Sequence, residues 1–287
     1  MLDFNPHTTQ FDHVNGLALG EAANLAYEDE DAITSKAAEW GMDATFIEDA
    51  PTDTQCFVSG GARAIFVAFR GTQPKQLQDV LTDAKIKQVV HSIGKVHEGF
   101  NDSFRSVWTD VRDQIRAYQT GGQSVWFTGH SLGAALAALA TAEMMVDDRP
   151  VHGLYTFGQP RVGDPDFADR FNLRIDGRAF RYVNNNDIVT RVPPRKVPAL
   201  NVEYSHVGAM KYFDSEGVLH EDRTHWLRFL DTVRSTFDDF KALLKETVGD
   251  HDMSLYLDNL ERAARTPPPA NDALGGLLGR LVSRFGR

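Results

Sequence analysis

Gly129-His130-Ser131-Leu132-Gly133 sets a serine between glycines two positions to either side. It follows the apolar run Val125-Trp126-Phe127 and opens an Ala/Leu/Met-rich stretch that ends at Val146. Strand, tight turn and helix in that order lift a hydroxyl clear of a sheet, and glycines at those positions let neighbouring backbone approach. The helix also directs its positive end at negative charge developing on a bound carbonyl. Ser131 is therefore the candidate nucleophile of an acyl transfer, against the plainer reading of a turn that only keeps the pattern. A hydroxyl is a weak nucleophile, so it needs a base, and the base needs an orienting carboxylate.

Behind a serine placed this way, acid and base follow in the order acid, then histidine. Five histidines follow Ser131. His152 starts a strand and reads as structural, and His206 alternates within a strand-like stretch as a near-core imidazole. His220 and His225 flank Glu221, but five helical positions place their side chains about 140° apart, too far round for one metal ion. His251, in Gly249-Asp250-His251 between two helical stretches, leads by elimination. Asp187 leads for the acid, because Arg181-Tyr182-Val183 runs as a strand into Asn184-Asn185-Asn186-Asp187, and sites in open α/β sheets collect at carboxyl ends of strands. An Asx-type turn is its alternative role. Asp214 reads as a hairpin-turn residue and Asp164 as a helix N-cap. Two backbone amides must hold the oxyanion, one following the serine and one in a loop after an earlier strand. Leu132 and Thr72 meet those descriptions. No metal or organic cofactor is required.

The elements around these residues are legible. Residues 16–27 carry helical periodicity and lead into Glu28-Asp29-Glu30-Asp31, a solvated turn that lacks the glycine and distal glutamate of a calcium loop. Gln55–Ser59 and Arg63–Phe69 predict a hairpin turning at Gly60-Gly61. Phe104, Val107, Trp108, Val111 and Ile115 mark an amphipathic helix closed by Gly121-Gly122. Val151–Phe157 and Ala179–Val183 read as buried strands with a short helix at 164–172 between them. Val202–Tyr204 and Val207–Phe213 extend the sheet, before a polar helix over about 222–246. Strands alternating with helices predict an α/β fold: a mostly parallel central sheet with helices on both faces.

Several segments stand out in order: Val67-Ala68-Phe69-Arg70-Gly71-Thr72, Val96-His97-Glu98-Gly99-Phe100, Thr128 to Ala135, Thr156 to Gly163, Asn186 to Pro194, and Asp250-His251 with Tyr256 beyond. Together they resemble the class 3 (fungal-type) lipases of the α/β-hydrolase fold. The resemblance runs from about residue 16 to 260. It implies a triad of Ser131, Asp187 and His251, an oxyanion hole from Thr72 and Leu132, and hydrolysis of triacylglycerol or related lipid esters. Phospholipase A1, mono- or diacylglycerol lipase and soluble carboxylesterase are alternatives of the same chemistry, and an inactive lipid-binding or interaction module is the non-enzymatic one. The resemblance also implies a helical lid, expected at 73–91, where Leu77, Val80 and Leu81 form a short apolar stripe. The sequence departs around the histidine, where Asp250-His251-Asp252-Met253 is more polar than the family pattern.

Composition bounds the rest. The 287 residues carry a formal charge of −10 with no basic stripe, which argues against nucleic acid as a partner. The single cysteine, Cys56, sits in an apolar run and reads as a buried thiol. Residues 2–7 show neither a basic n-region nor an apolar h-region, and no run is long and apolar enough to span a bilayer, so the expectation is a cytoplasmic protein or one secreted without a leader. One catalytic domain is expected over 1–265. Beyond Pro267-Pro268-Pro269, residues 266–287 carry three arginines against one aspartate. Leu274, Leu277, Leu278, Leu281, Val282 and Phe285 recur there at helical spacing. Such a basic amphipathic tail can dock on the domain or a partner, or lie on a membrane or lipid-droplet surface. Oligomeric state is not legible.

Overall fold

The computed structural model describes residues 2–72, 87–221 and 249–265. The polar helix at 222–246, the lid residues Leu77, Val80 and Leu81, His225 and the tail at 266–287 lie outside the described residues. The chain begins with α1 (His13–Leu25) and α2 (Glu30–Trp40), followed by the strands β1 (Met42–Asp49), β2 (Thr54–Gly61) and β3 (Ala64–Phe69). The hairpin β4 (Gln88–His91) and β5 (Gly94–His97) leads to α3 (Glu98–Tyr118), β6 (Ser124–His130), α4 (Leu132–Val146), β7 (Gly153–Phe157), α5 (Pro165–Ile175) and β8 (Ala179–Asn184). The short strands β9 (Lys196–Val197) and β10 (Val202–Glu203) pair with each other, while β11 (Ala209–Phe213) and β12 (Leu219–His220) return to the main sheet before α6 (Met253–Arg265).

The main sheet has eight strands in the order β1-β2-β3-β6-β7-β8-β11-β12. Pairing is parallel from β3 through β6, β7 and β8 to β11, and antiparallel at both edges. Alternate residues feed two cores, as the pleat requires. Val58, Ile65, Val67, Val125 and Phe127 meet α3, α4 and α5 on one face, while Phe57, Phe66, Trp126, Tyr155 and Tyr182 meet α1 and α6 on the other. Cys56 is buried in the first of these cores. Among the described residues no helix is long and apolar enough to cross a membrane.

Four local expectations change. The acidic cluster is not only a turn: the Asp29 carboxylate accepts the Ala32 amide at 2.9 Å and caps α2, with Glu30 and Asp31 in its first turn, where the helix dipole favours negative charge. Gly60 and Gly61 are strand residues, paired with Asp43 and Met42, and the chain turns at 62–63. Gly60 is required because a Cβ there would run into the Tyr118 ring. Val202 and Glu203 pair with β9 instead of extending the main sheet. Residues 88–91 at the end of the expected lid span form β4, so a helical cover cannot include them.

Candidate active site

Parallel strands β6, β7 and β8 end side by side, and the turn after each supplies part of one buried cluster. β6 runs to His130, and Ser131 follows at φ 58°, ψ −127°, a left-handed conformation that strains a residue bearing a side chain. The surroundings fix that turn. The Ser131 amide donates to the Phe157 carbonyl at 3.0 Å. A Cβ on Gly129 would strike the Gly133 carbonyl, and one on Gly133 would strike that of Phe69. Both glycines are therefore demanded by backbone contact. Ser131 is fully buried, and its hydroxyl has no hydrogen-bond partner among the described residues.

The acid comes from the turn after β8. The Asp187 amide closes on the Asn184 carbonyl at 2.8 Å, and its carboxylate accepts the Val189 amide at 2.9 Å. The Asx-type turn is real, yet it leaves the carboxylate facing His251. His251 Nδ1–H donates to both carboxylate oxygens, at 3.0 and 2.9 Å. The Tyr256 hydroxyl donates to the same carboxylate at 2.6 Å while accepting the Asn184 amide at 2.9 Å. With Nδ1 engaged, His251 Nε2 is left buried and unpartnered among the described residues. That is the arrangement of an imidazole held to accept a proton at its far nitrogen.

Two tethers bring serine and histidine together. His130, next to Ser131, stacks on the His251 ring with centroids 4.4 Å apart. Gly158, at φ 58° and following the Phe157 whose carbonyl holds Ser131, faces the pair so closely that a Cβ would lie 2.7 Å from His251 Cε1 and 2.8 Å from Asp187 Oδ2. The Gly71-Thr72 loop leaves β3 against the same turn, since a Cβ on Gly71 would lie 3.1 Å from Ser131 Cβ. Leu132 follows Ser131 in the chain and Thr72 follows Gly71, and both of these residues, named for their amides, are half-buried.

The polar residues around His251 have work of their own. The Asp250 carboxylate accepts from Asn185 Nδ2 at 3.1 Å and from the Asn186 amide at 3.2 Å, and its carbonyl accepts from Asn184 Nδ2 at 3.1 Å. Asn259 of α6 donates to Asn184 Oδ1 at 2.8 Å. Asp250 therefore clamps the histidine loop onto the turn that carries Asp187, which is why this stretch is polar.

The remaining candidates lie elsewhere. His152 Nδ1 accepts the Val125 amide at 2.9 Å, Asp164 caps α5 through the Phe167 amide at 2.8 Å, and Asp214 holds its turn through the Glu216 and Val218 amides. Burial and the Arg181 and Arg161 charges keep His206 neutral, well below the usual imidazole range. His220 pairs with Asp214 at 2.7 Å. Among the described residues no cluster of three or more histidine, cysteine or acidic side chains could hold a metal ion. Sequence reasoning passed over Tyr27, His130, Asn184 and Asn259. A histidine beside a nucleophile and a tyrosine 103 positions earlier carry no spacing signal, because their contact is made only by folding.

Residues 66–197 match the sequence profile described as lipase (class 3). A lipase of Rhizomucor miehei is 36% identical over 156 residues, which cover 50% of this chain and 41% of that protein. A triacylglycerol lipase of Arabidopsis thaliana is 28% identical over 252 residues, covering 68% of this chain and 48% of the relative. The chain thus spans less than half the length of these curated relatives. Among solved structures, the triacylglyceride lipase of Rhizomucor miehei superimposes with a TM-score of 0.58 at 27% identity, over 72% of this chain and 82% of that one. Lipase II from Rhizopus niveus gives 0.55 at 27% identity, over 68% and 78%. The profile match includes Ser131 and Asp187 and stops short of His251, whose assignment rests on geometry.

Proposed function

Because residues 66–197 match the class 3 lipase profile, we propose that this chain is a serine hydrolase that cleaves carboxylic esters of lipids. Ser131 Oγ attacks the ester carbonyl while His251 Nε2 takes its proton, and the imidazolium that forms is held by Asp187. His251 then returns the proton to the leaving alcohol. The amides of Leu132 and Thr72 receive the oxyanion, an interaction whose loss typically costs about 2.7–4 kcal/mol of barrier. Water, deprotonated by His251, attacks the acyl-enzyme, and the fatty acid leaves with Ser131 restored.

The observation that carries this reading is the His251–Asp187 pair, bonded at 2.9 Å with the other imidazole nitrogen unpartnered, in the cluster that contains the strained Ser131. Substrate class is read from the relatives, among them a secreted mono- and diacylglycerol lipase of Malassezia restricta that is 37% identical over 107 residues. Acylglycerols are thus the leading substrates. The test is release of p-nitrophenol from short and medium acyl esters, then titration of fatty acid from tri-, di- and monoacylglycerol emulsions. Ser131→Ala is expected to lower the rate by at least about 10⁴-fold. Equal rates for the two proteins would leave the fold without its chemistry.

A further inference from the structure

We infer that Tyr27 and His130 are positioning residues: Tyr27 fixes the tautomer of His130, and His130 holds the backbone and ring plane of His251 against the Ser131 turn. The inference rests on the proposed ester hydrolysis and names two groups that act through the base without touching substrate.

Three contacts define the arrangement. His130 Nε2 lies 2.8 Å from the His251 carbonyl oxygen, which can only accept, so the proton of the His130 ring sits on Nε2. Nδ1 is then an acceptor, and the Tyr27 hydroxyl, 2.7 Å away, donates to it. The His130 and His251 rings lie 30° from coplanar with centroids 4.4 Å apart. The Tyr27 oxygen is itself confined, because a Cβ on Gly71 would strike it and would lie 2.6 Å from the His130 carbonyl oxygen. A continuous chain of contacts therefore runs from the loop before Thr72 through Tyr27 and His130 to His251.

Electrostatics supports this assignment. Burial, with the neighbouring His251, pushes the His130 pKa well below the usual imidazole range, so His130 stays neutral when its neighbour takes a proton. A second cation at this spacing would oppose that transfer. The ionisable groups facing the pair are His251 and Tyr256 about His130, and Arg70 and Asp252 about Tyr27. A base tied through a neutral ring to the residue beside the nucleophile keeps its distance to that nucleophile, and misplacement by about 1 Å can cost about 10²-fold.

The experiment compares Tyr27→Phe, His130→Leu, His130→Gln and the Tyr27→Phe/His130→Leu double variant with wild type, active sites being counted with a fluorophosphonate. His130→Leu is expected to lower kcat per active site by about 10- to 100-fold with little change in KM. The acid limb of its kcat/KM profile should move to lower pH, because a loosened imidazolium pairs less well with Asp187. His130→Gln, whose amide N–H stands near the position of Nε2–H, should recover much of the loss. The double variant should be no worse than His130→Leu, since Tyr27 acts through His130. Unchanged kcat and pH profile per active site, or losses that multiply in the double variant, would overturn the inference. Imidazole ¹⁵N NMR of wild type tests it without turnover: one Nε2–H tautomer of His130 down to about pH 5 supports it, and an Nδ1–H or charged ring refutes it. Should wild type and Ser131→Ala prove equally inactive, the hydrolase reading fails while the NMR result still decides the tautomer.

Discussion

At the scale of single residues, Asp187 does two jobs that look like alternatives in the sequence. One carboxylate closes its own turn through the Val189 amide and receives His251 and Tyr256 from residues more than sixty positions away. Asp187→Asn keeps the turn acceptor but forces the imidazole toward the wrong tautomer, so kcat should fall by about 10⁴-fold with folding largely preserved, as steady-state rates and circular dichroism would reveal. Tyr256→Phe removes one hydrogen bond from the carboxylate and leaves a buried amide unpaired at Asn184. A smaller loss of about tenfold, with a lower melting temperature, is expected there. If Tyr256→Phe matched Asp187→Asn, the tyrosine would hold more of the site than this geometry implies. Ser131 and Asp187 were legible as candidates because each lies in the turn after a recognisable strand. Tyr27 is 103 positions from the His130 ring it meets, and no local pattern links them.

At the scale of elements, the site depends on backbone packed too closely for side chains. Gly158 sits at φ 58° with His251 and Asp187 both within 2.8 Å of where a Cβ would be, whereas Gly177 has nothing within 4 Å at φ 74°. Both Gly→Ala changes incur the strain of a positive φ, about 1 kcal/mol or more, but only Gly158→Ala also displaces the pair. Gly158→Ala should therefore lower kcat by about 10²-fold or more while Gly177→Ala alters only thermal stability, a contrast that paired melts and rates would establish. Equal activities would show that the turn after β7 yields without moving the pair. The same reasoning explains what was misread among the elements. Gly60-Gly61 has the composition of a two-residue turn, yet it is strand because the Tyr118 ring occupies the space of a side chain at Gly60. The helix α2 went unrecognised because its exposed residues show little apolar periodicity, and only Ile33, Ala37 and Trp40 are buried.

At the scale of the molecule, several neutral imidazoles are enclosed in the fold. Burial lowers the His97 pKa to about 4 and holds His130 and His206 well below their ordinary values. Each group binds a proton more readily when unfolded, so stability is full above about pH 6.5 and declines as pH falls toward 4. The lowered Glu143 and Asp214 carboxyls act in the same direction further down, and the raised Glu21 opposes them. Melting temperatures should fall steadily between about pH 7 and 5. A flat profile over that range would mean that the imidazoles are charged or solvated. The basic amphipathic tail at 266–287 lies outside the described residues, and its contact with a lipid surface is a separate proposal. Deleting 267–287 should weaken binding to anionic vesicles and hydrolysis of emulsions while leaving soluble esters unaffected; unchanged emulsion rates would remove it from catalysis.

The sequence by itself determined the alternation of strands and helices, the strand-turn-helix serine and the aspartate in the turn after a strand, because those depend on periodicity and on residues adjacent in the chain. It reached His251 only by elimination. Tertiary structure decided that Asp187 faces His251, that Asp250 clamps the two loops, and that Tyr27 meets His130 and His130 meets His251. Hydrogen bonds between distant segments arise only when parallel strands β6, β7 and β8 bring their ends together, and no spacing along the chain encodes which side chains then meet.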